Sequence, residues 1–210
     1  IFDVMDMLSP LAAQKHIDMA FYYGDNIPEI VNGDALRVKQ ILTNLISNAI
    51  KFTPDGEIIV RVRMEHDDIG QCLLHFSVQD SGIGLSGTDR KKLFESFSQG
   101  DASVTRQFGG TGLGLAMSKQ LVQLMHGHIG FEDNQERAPT EKGSTFWFTA
   151  QFKTEDDIIP EYPQFPQLHV VSYLAHPATA NILRHYLENY RVNHTEITSI
   201  LELFSRLNHL

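Results

Sequence analysis

Asn44-Leu45-Ile46-Ser47-Asn48-Ala49-Ile50-Lys51-Phe52-Thr53 closes a stretch whose apolar residues, Val38, Ile41, Leu42, Leu45, Ile46 and Ala49, recur at helical spacing. Asp34 stands where such a helix needs an N-cap, and Thr53-Pro54-Asp55-Gly56 ends it in a turn, which predicts a helix over 34–52. On that helix Gln40, Asn44, Asn48 and Lys51 fall within an arc of roughly 80°, away from the apolar side. Asparagine is a poor helix former, because its amide competes for backbone hydrogen bonds. Two on one stripe therefore invite a functional explanation. Amide oxygens suit Mg²⁺ and an ammonium neutralises phosphate, so the stripe reads as one wall of a nucleotide-phosphate site. The alternative is a solvated polar face with incidental asparagines.

Beyond the turn the period changes from 3.6 to 2. Ile58, Val60, Val62 and Met64 share one parity, as do Leu74, Phe76 and Val78 after the polar segment His66 to Gln71, and this predicts two antiparallel strands. A helical stretch near 88–97 leads into a Ser-, Gly- and Thr-rich segment from Ser98 to Gly112. A further helix runs to His126 with Gly127 as its stop, and strands near 128–133 and 144–152 follow. This order predicts an α+β sandwich with helices on one face of a mixed sheet. From Thr154 to Pro166 acidic residues and three prolines suit an extended linker. Residues 167–210 then repeat strand, helix, strand, helix, a piece too small to hold a large core of its own.

The bulk composition narrows the function. A chain of 210 residues with 42% hydrophobic content accommodates one ordinary domain plus a fragment. The formal charge of −9 argues against nucleic acid as a partner, since phosphate contacts need clustered Lys and Arg. The lone cysteine, Cys72, excludes an internal disulfide framework and fits a reducing compartment. There is no apolar run of spanning length, so direct membrane contact is not expected of this segment. The chain starts at Ile1 rather than Met, which reads as a boundary inside a longer protein.

Three further features carry chemistry. Asp80 continues the inward parity of Leu74, Phe76 and Val78, so its carboxylate meets the apolar interior and needs a donor such as the amine of adenine. Gly82 and Gly84 let the backbone approach a base closely. An ordinary Asp-Ser-Gly turn is the plainer account of the same residues. Gly109-Gly110-Thr111-Gly112-Leu113-Gly114-Leu115 opens into a helix, whose free N–H groups can face phosphates, although neither a Walker loop nor a dinucleotide fingerprint is present. His126-Gly127-His128 has no carboxylate or cysteine cluster near it in sequence, so a surface turn is favoured there over zinc.

Together, Asn44 to Thr53, Asp80 to Leu85, Leu93-Phe94-Glu95-Ser96-Phe97 and Gly109 to Leu115 resemble the asparagine, first glycine, phenylalanine and second glycine boxes of sensor histidine kinases, in the family's order. Gly143-Ser144-Thr145-Phe146 resembles the strand start that closes that fold. Within the family the hybrid kinases of the BarA and GacS kind are the nearest in pattern. The resemblance implies a Bergerat-type α/β sandwich over residues 1–153, a linker over 154–166, and the start of a degenerate receiver-like module over 167–210. It implies ATP and Mg²⁺ as cofactors, with the metal on Asn48 and Asn44. Lys51 and Arg106 would face phosphate, although a mobile surface arginine is an equal account of Arg106. Asp80, Gly82 and Gly84 would hold adenine, and Gly110, Thr111, Gly112, Leu113 and Gly114 the phosphates. Thr145 would support Asp80 through water.

The implied reaction passes the γ-phosphoryl group to a histidine on an upstream dimerisation domain, with a downstream receiver and a response regulator as later partners. None of the ten histidines has acceptor-like surroundings: His16 precedes Ile17-Asp18-Met19, and His66-Asp67 lacks an Arg-Thr-Pro continuation. The implied location is cytoplasmic, with an inner-membrane anchor of the parent protein left open. Two alternatives stand beside the kinase. One is an ATP-hydrolysing relative of the gyrase, Hsp90 and MutL type, which would want a glutamate where Asn44 stands. The other is a nucleotide-binding pseudokinase. In 167–210, Val170-Val171-Ser172-Tyr173-Leu174-Ala175-His176 has no carboxylate where a receiver carries acidic residues.

Overall fold

Asp34 begins the long helix, its side chain accepting from Arg37 N at 3.1 Å. In the computed structural model, which describes residues 1–68, 70–84, 93–95, 113–134, 142–154, 163–174 and 176–207, the chain divides into two compact units, Ile1–Ile159 and Pro160–Leu210. The elements of the first unit are α1 (Phe2–Ala13), β1 (Ile17–Tyr23), α2 (Ala35–Phe52), β2 (Gly56–Asp68), β3 (Gln71–Asp80), α3 (Gly114–Leu124), β4 (Ile129–Asp133) and β5 (Ser144–Lys153).

The five strands form one mixed sheet in the order β1-β2-β3-β5-β4, in which β1 runs parallel to β2 and every other neighbour pair is antiparallel. The paired strands expected at Ile58 to Met64 and Leu74 to Val78 are β2 and β3, with Val60 opposite Val78 and Val62 opposite Phe76. Their inward parity meets the helices. Ile41, Leu42, Leu45 and Ile46 of α2 are at most 1% exposed and pack with Val4 and Leu8 of α1, Val122 of α3, and Ile58, Val60, Val78 and Phe148 of the sheet. Each such side chain contributes about 1.5–3 kcal/mol through burial. Phe76 and Phe148 stack across β3 and β5 with centroids 4.7 Å apart. The result is the expected α+β sandwich, a mainly antiparallel sheet with its helices on one face.

Two elements precede the region read from sequence. α1 contains Pro10, and the carbonyl of Asp6 that this proline leaves without an amide partner accepts from Ser9 Oγ at 3.0 Å. β1 supplies one edge of the sheet. At the end of α3 the left-handed residue is His126, with φ of 55°, rather than Gly127. Gly127 is required for a different reason: a Cβ there would run into the Thr149 carbonyl of β5. Leu93–Glu95 form a turn, while the rest of the expected helix near 88–97, the segment 98–112 and most of the linker lie outside the described residues. Among the described residues no helix is long and apolar enough to cross a membrane.

In the second unit β6 (His169–Ser172) pairs in parallel with β7 (Asn193–Glu196), joined through α4 (Pro177–Asn189) and followed by α5 (Ile200–Leu207). Ser172 Oγ and His194 Nε2 lie 2.8 Å apart, and Arg184 on α4 pairs with Glu196 on β7.

Candidate functional site

Four chain segments meet at one end of the sheet: the end of α2, the end of β3, the start of β5 and the start of α3. Asp80, the last residue of β3, is 4% exposed. Its Oδ1 accepts from Gly82 N at 2.9 Å and Ser144 N at 3.3 Å, and its Oδ2 accepts from the Ser144 hydroxyl at 2.7 Å. Burial pushes the Asp80 carboxyl above its ordinary value, and the bonds from the Ser144 hydroxyl, Gly82 N and Ser144 N oppose that shift without cancelling it. The side chain is therefore fixed in direction and poorly solvated, a state that favours a ligand able to donate to it.

The hydroxyl on Asp80 is thus that of Ser144, one position before the Thr145 named from sequence. Strand parity explains the difference. Ser144 shares the inward face with Phe146, Phe148, Ala150 and Phe152, whereas Thr145 lies beside Gln79 on the other face. Thr145 Oγ1 instead donates to Asn134 Oδ1 at 2.8 Å, and Asn134 Nδ2 donates to the Asp80 carbonyl at 3.0 Å and to the Lys142 carbonyl at 3.2 Å. Asn134 is 2% exposed and went unread in the sequence, because nothing local to it marks contacts so distant along the chain.

Glycines allow this convergence. A Cβ on Gly143, where φ is 96°, would collide with the Asp80 carbonyl. A Cβ on Gly82 would meet the Phe52 carbonyl, with Asp80 Oδ1 and Thr53 Oγ1 each at 2.9 Å. Gly84 takes φ of 71° and passes the Gly143 carbonyl.

On α2, Asn44 and Asn48 are both half-buried but differ in their surroundings. Asn44 Nδ2 donates to Ser118 Oγ at 3.0 Å, and its Oδ1 occupies the space a Cβ on Gly114 would need. Leu113, half-buried, is the N-cap position of α3. Among the described residues nothing hydrogen-bonds the Asn48 carboxamide. Lys51 Nζ lies 4.8 Å from the centroid of the Phe52 ring. The last carbonyls of α2 receive Lys15, whose Nζ donates to Ile50 O at 2.7 Å, Lys51 O at 3.2 Å and Thr53 O at 3.4 Å. Arg106, Gly110, Thr111 and Gly112 lie outside the described residues.

A sequence profile of histidine kinase-, DNA gyrase B- and HSP90-like ATPases matches residues 33–154, the span that holds Asn44, Asn48, Asp80, Asn134 and Ser144. The chain belongs to this family. The sensor histidine kinase GacS of Pseudomonas protegens is 42% identical over 190 residues, which are 89% of this chain and 20% of that protein. The signal transduction histidine-protein kinase BarA of Escherichia coli is 37% identical over 161 residues, 77% of this chain and 17% of that protein. Among solved structures, full-length ShkA in complex with AMPPNP superposes with a TM-score of 0.73 at 27% identity, over 97% of this chain and 40% of that one. The chain thus spans about a fifth or less of the length of these curated relatives. It carries a histidine-kinase-type ATPase domain, and its relatives include hybrid sensor kinases of two-component signalling.

Proposed function

We propose that this domain binds MgATP and donates the γ-phosphoryl group to a histidine on an upstream dimerisation domain. The observation that carries the reading is the buried Asp80 carboxylate, aimed by Ser144 and Gly82 and lacking solvent to satisfy it. The amine of adenine is a donor of the right kind, and Gly82 and Gly84 keep side chains off the base. Asn48 offers a carbonyl oxygen with no competing partner among the described residues, and Asn44, with one N–H committed to Ser118, also keeps its oxygen. Mg²⁺, when bound, neutralises phosphate charge and keeps most of its waters, which suits so small a set of neutral protein ligands. Lys51 and Arg106 add positive charge, and Gly110, Thr111, Gly112, Leu113 and Gly114 bring backbone N–H groups to the phosphates. Thr145 acts on Asp80 through Asn134 and the Asp80 backbone.

Phosphoryl transfer then depends on positioning and charge. Hydrolysis is disfavoured because Asn44, four residues before Asn48, has no basic carboxylate and is held by Ser118. On this reading residues 1–153 are the catalytic domain and 154–166 a linker. Residues 167–210 begin a degenerate receiver-like module with a docking or structural role, ahead of a downstream receiver and a separate response regulator. The domain works in the cytoplasm, whatever anchors the parent protein.

The test is incubation with radiolabelled ATP, first of the chain alone and then with the purified upstream module. Label confined to the added module is expected. Label on the isolated chain would place the acceptor histidine within these 210 residues and overturn the proposal.

A further inference from the structure

Thr53 is the residue at which α2 ends, and its backbone is engaged on both sides. Its N–H donates to Ala49 O at 3.0 Å, and its carbonyl accepts from Lys15 Nζ at 3.4 Å. The residue is 0% exposed, and among the described residues its Oγ1 has no hydrogen-bond partner. A buried hydroxyl left unsatisfied weakens the folded state, and one explanation for such a group is a ligand or water that completes it.

Its neighbours indicate what that is. Thr53 Oγ1 and Asp80 Oδ1 flank the same glycine, each 2.9 Å from the position of a Cβ on Gly82. An ionised carboxylate only accepts hydrogen bonds, whereas a hydroxyl can also donate one. An acceptor beside a donor matches the edge of adenine, where the amine donor adjoins a ring-nitrogen acceptor. Guanine presents a carbonyl oxygen where adenine has its amine, and that oxygen would face the carboxylate.

We propose that Thr53 is a second reader of the base. Its hydroxyl donates to the ring nitrogen next to the amine that Asp80 accepts from, in contact or through one trapped water. The inference rests on the nucleotide reading above and adds a specificity residue to it.

The experiment is calorimetric titration of the chain, with Mg²⁺ present, against ADP and against 1-deaza-ADP, in which a C–H replaces that ring nitrogen. Wild type, Thr53→Val and Thr53→Ser are compared, and each is also melted without nucleotide. Wild type should prefer ADP by about tenfold, and Thr53→Val should bind ADP about tenfold more weakly while no longer distinguishing the two ligands. Thr53→Ser should stay within about twofold of wild type. Without nucleotide, Thr53→Val should melt no lower than wild type, because it removes an unsatisfied polar group and keeps the shape. Wild-type affinity in Thr53→Val, or persistent discrimination against 1-deaza-ADP, would overturn the inference alone. So would a lower melting temperature with equal losses for both ligands, the mark of a purely structural role. Failure of wild type to take up ADP would overturn the nucleotide reading, and the inference with it.

Discussion

The Asn44 carboxamide nitrogen donates to the Ser118 hydroxyl at 3.0 Å, tying α2 to α3 between residues 74 positions apart in sequence. Asn48, one turn further along the same face, has no such bond among the described residues. The two asparagines of one stripe therefore divide into a tether and an available carbonyl. Asn44→Ala strands the Ser118 hydroxyl, in a residue 2% exposed, and opens space beside Gly114. We expect it to lose about 1–2 kcal/mol of stability, less the few tenths that alanine's helix propensity returns. Asn48→Ala should be neutral or slightly stabilising without nucleotide, yet lower Mg²⁺-dependent ATP affinity by about tenfold or more. Urea denaturation and calorimetry on both variants check this, and equal stability losses would refute the division.

Asp80 makes stability depend on pH in a direction that can be worked out. Its folded value lies above the ordinary one, chiefly through burial, so the fold binds its proton more tightly than the unfolded chain does. The contribution is fully present below the ordinary carboxylate range, near about pH 4, and is lost as pH rises through the raised folded value. Asp80→Asn has no charge to bury and keeps an oxygen for Gly82 N and Ser144 N. The variant should gain on wild type as pH climbs from acid to neutral, while its nucleotide affinity falls. Melting curves across that range, with and without ADP, test the sign. A wild type that pulls ahead of the variant toward neutral pH would contradict it.

The helix α2 and the strands β2 and β3 were legible in the sequence because their apolar residues concentrate on one face, so period 3.6 and then period 2 stand out, although Ile59 and Ser77 are buried on the other parity. The same parity placed Asp80 inward. α1 was not legible: Phe2, Met7 and Leu11 are more than half exposed, so apolar residues surround the helix and blur the stripe of Val4, Leu8 and Ala12. The direct bond from Ser144 went unread beside the water-mediated role expected of Thr145, and one residue along a strand exchanges one face for the other. The inward run of Phe146, Phe148, Ala150 and Phe152 held the signal for it. Asn134 gave no signal, because its meaning comes from the carbonyls of Asp80 and Lys142, brought together only by the fold.

Lys15 carries the last prediction. The final carbonyls of any helix lack intrahelical donors and form the negative end of its dipole, so a cation there both bonds and neutralises them. Lys15 Nζ reaches three acceptors, on Ile50, Lys51 and Thr53, and so holds the turn from which Lys51, Phe52 and Thr53 project. Lys15→Met keeps the aliphatic stem and removes only the ammonium. It should cost about 1–2 kcal/mol, more than an exposed ion pair, because the contacts are part-buried and made to backbone oxygens that would otherwise be stranded. The loss should also be local in its consequence. Fraying of the last turn displaces the carbonyl of Phe52, which Ile83 N contacts at 3.3 Å, and through it the glycine segment after Asp80. Hydrogen exchange at Thr53 and Ile83 should therefore accelerate in the variant ahead of exchange in the sheet, and ADP affinity should fall a few-fold. Unchanged exchange at both amides, together with an unchanged denaturation midpoint, would show that the ammonium does not hold this end of the helix.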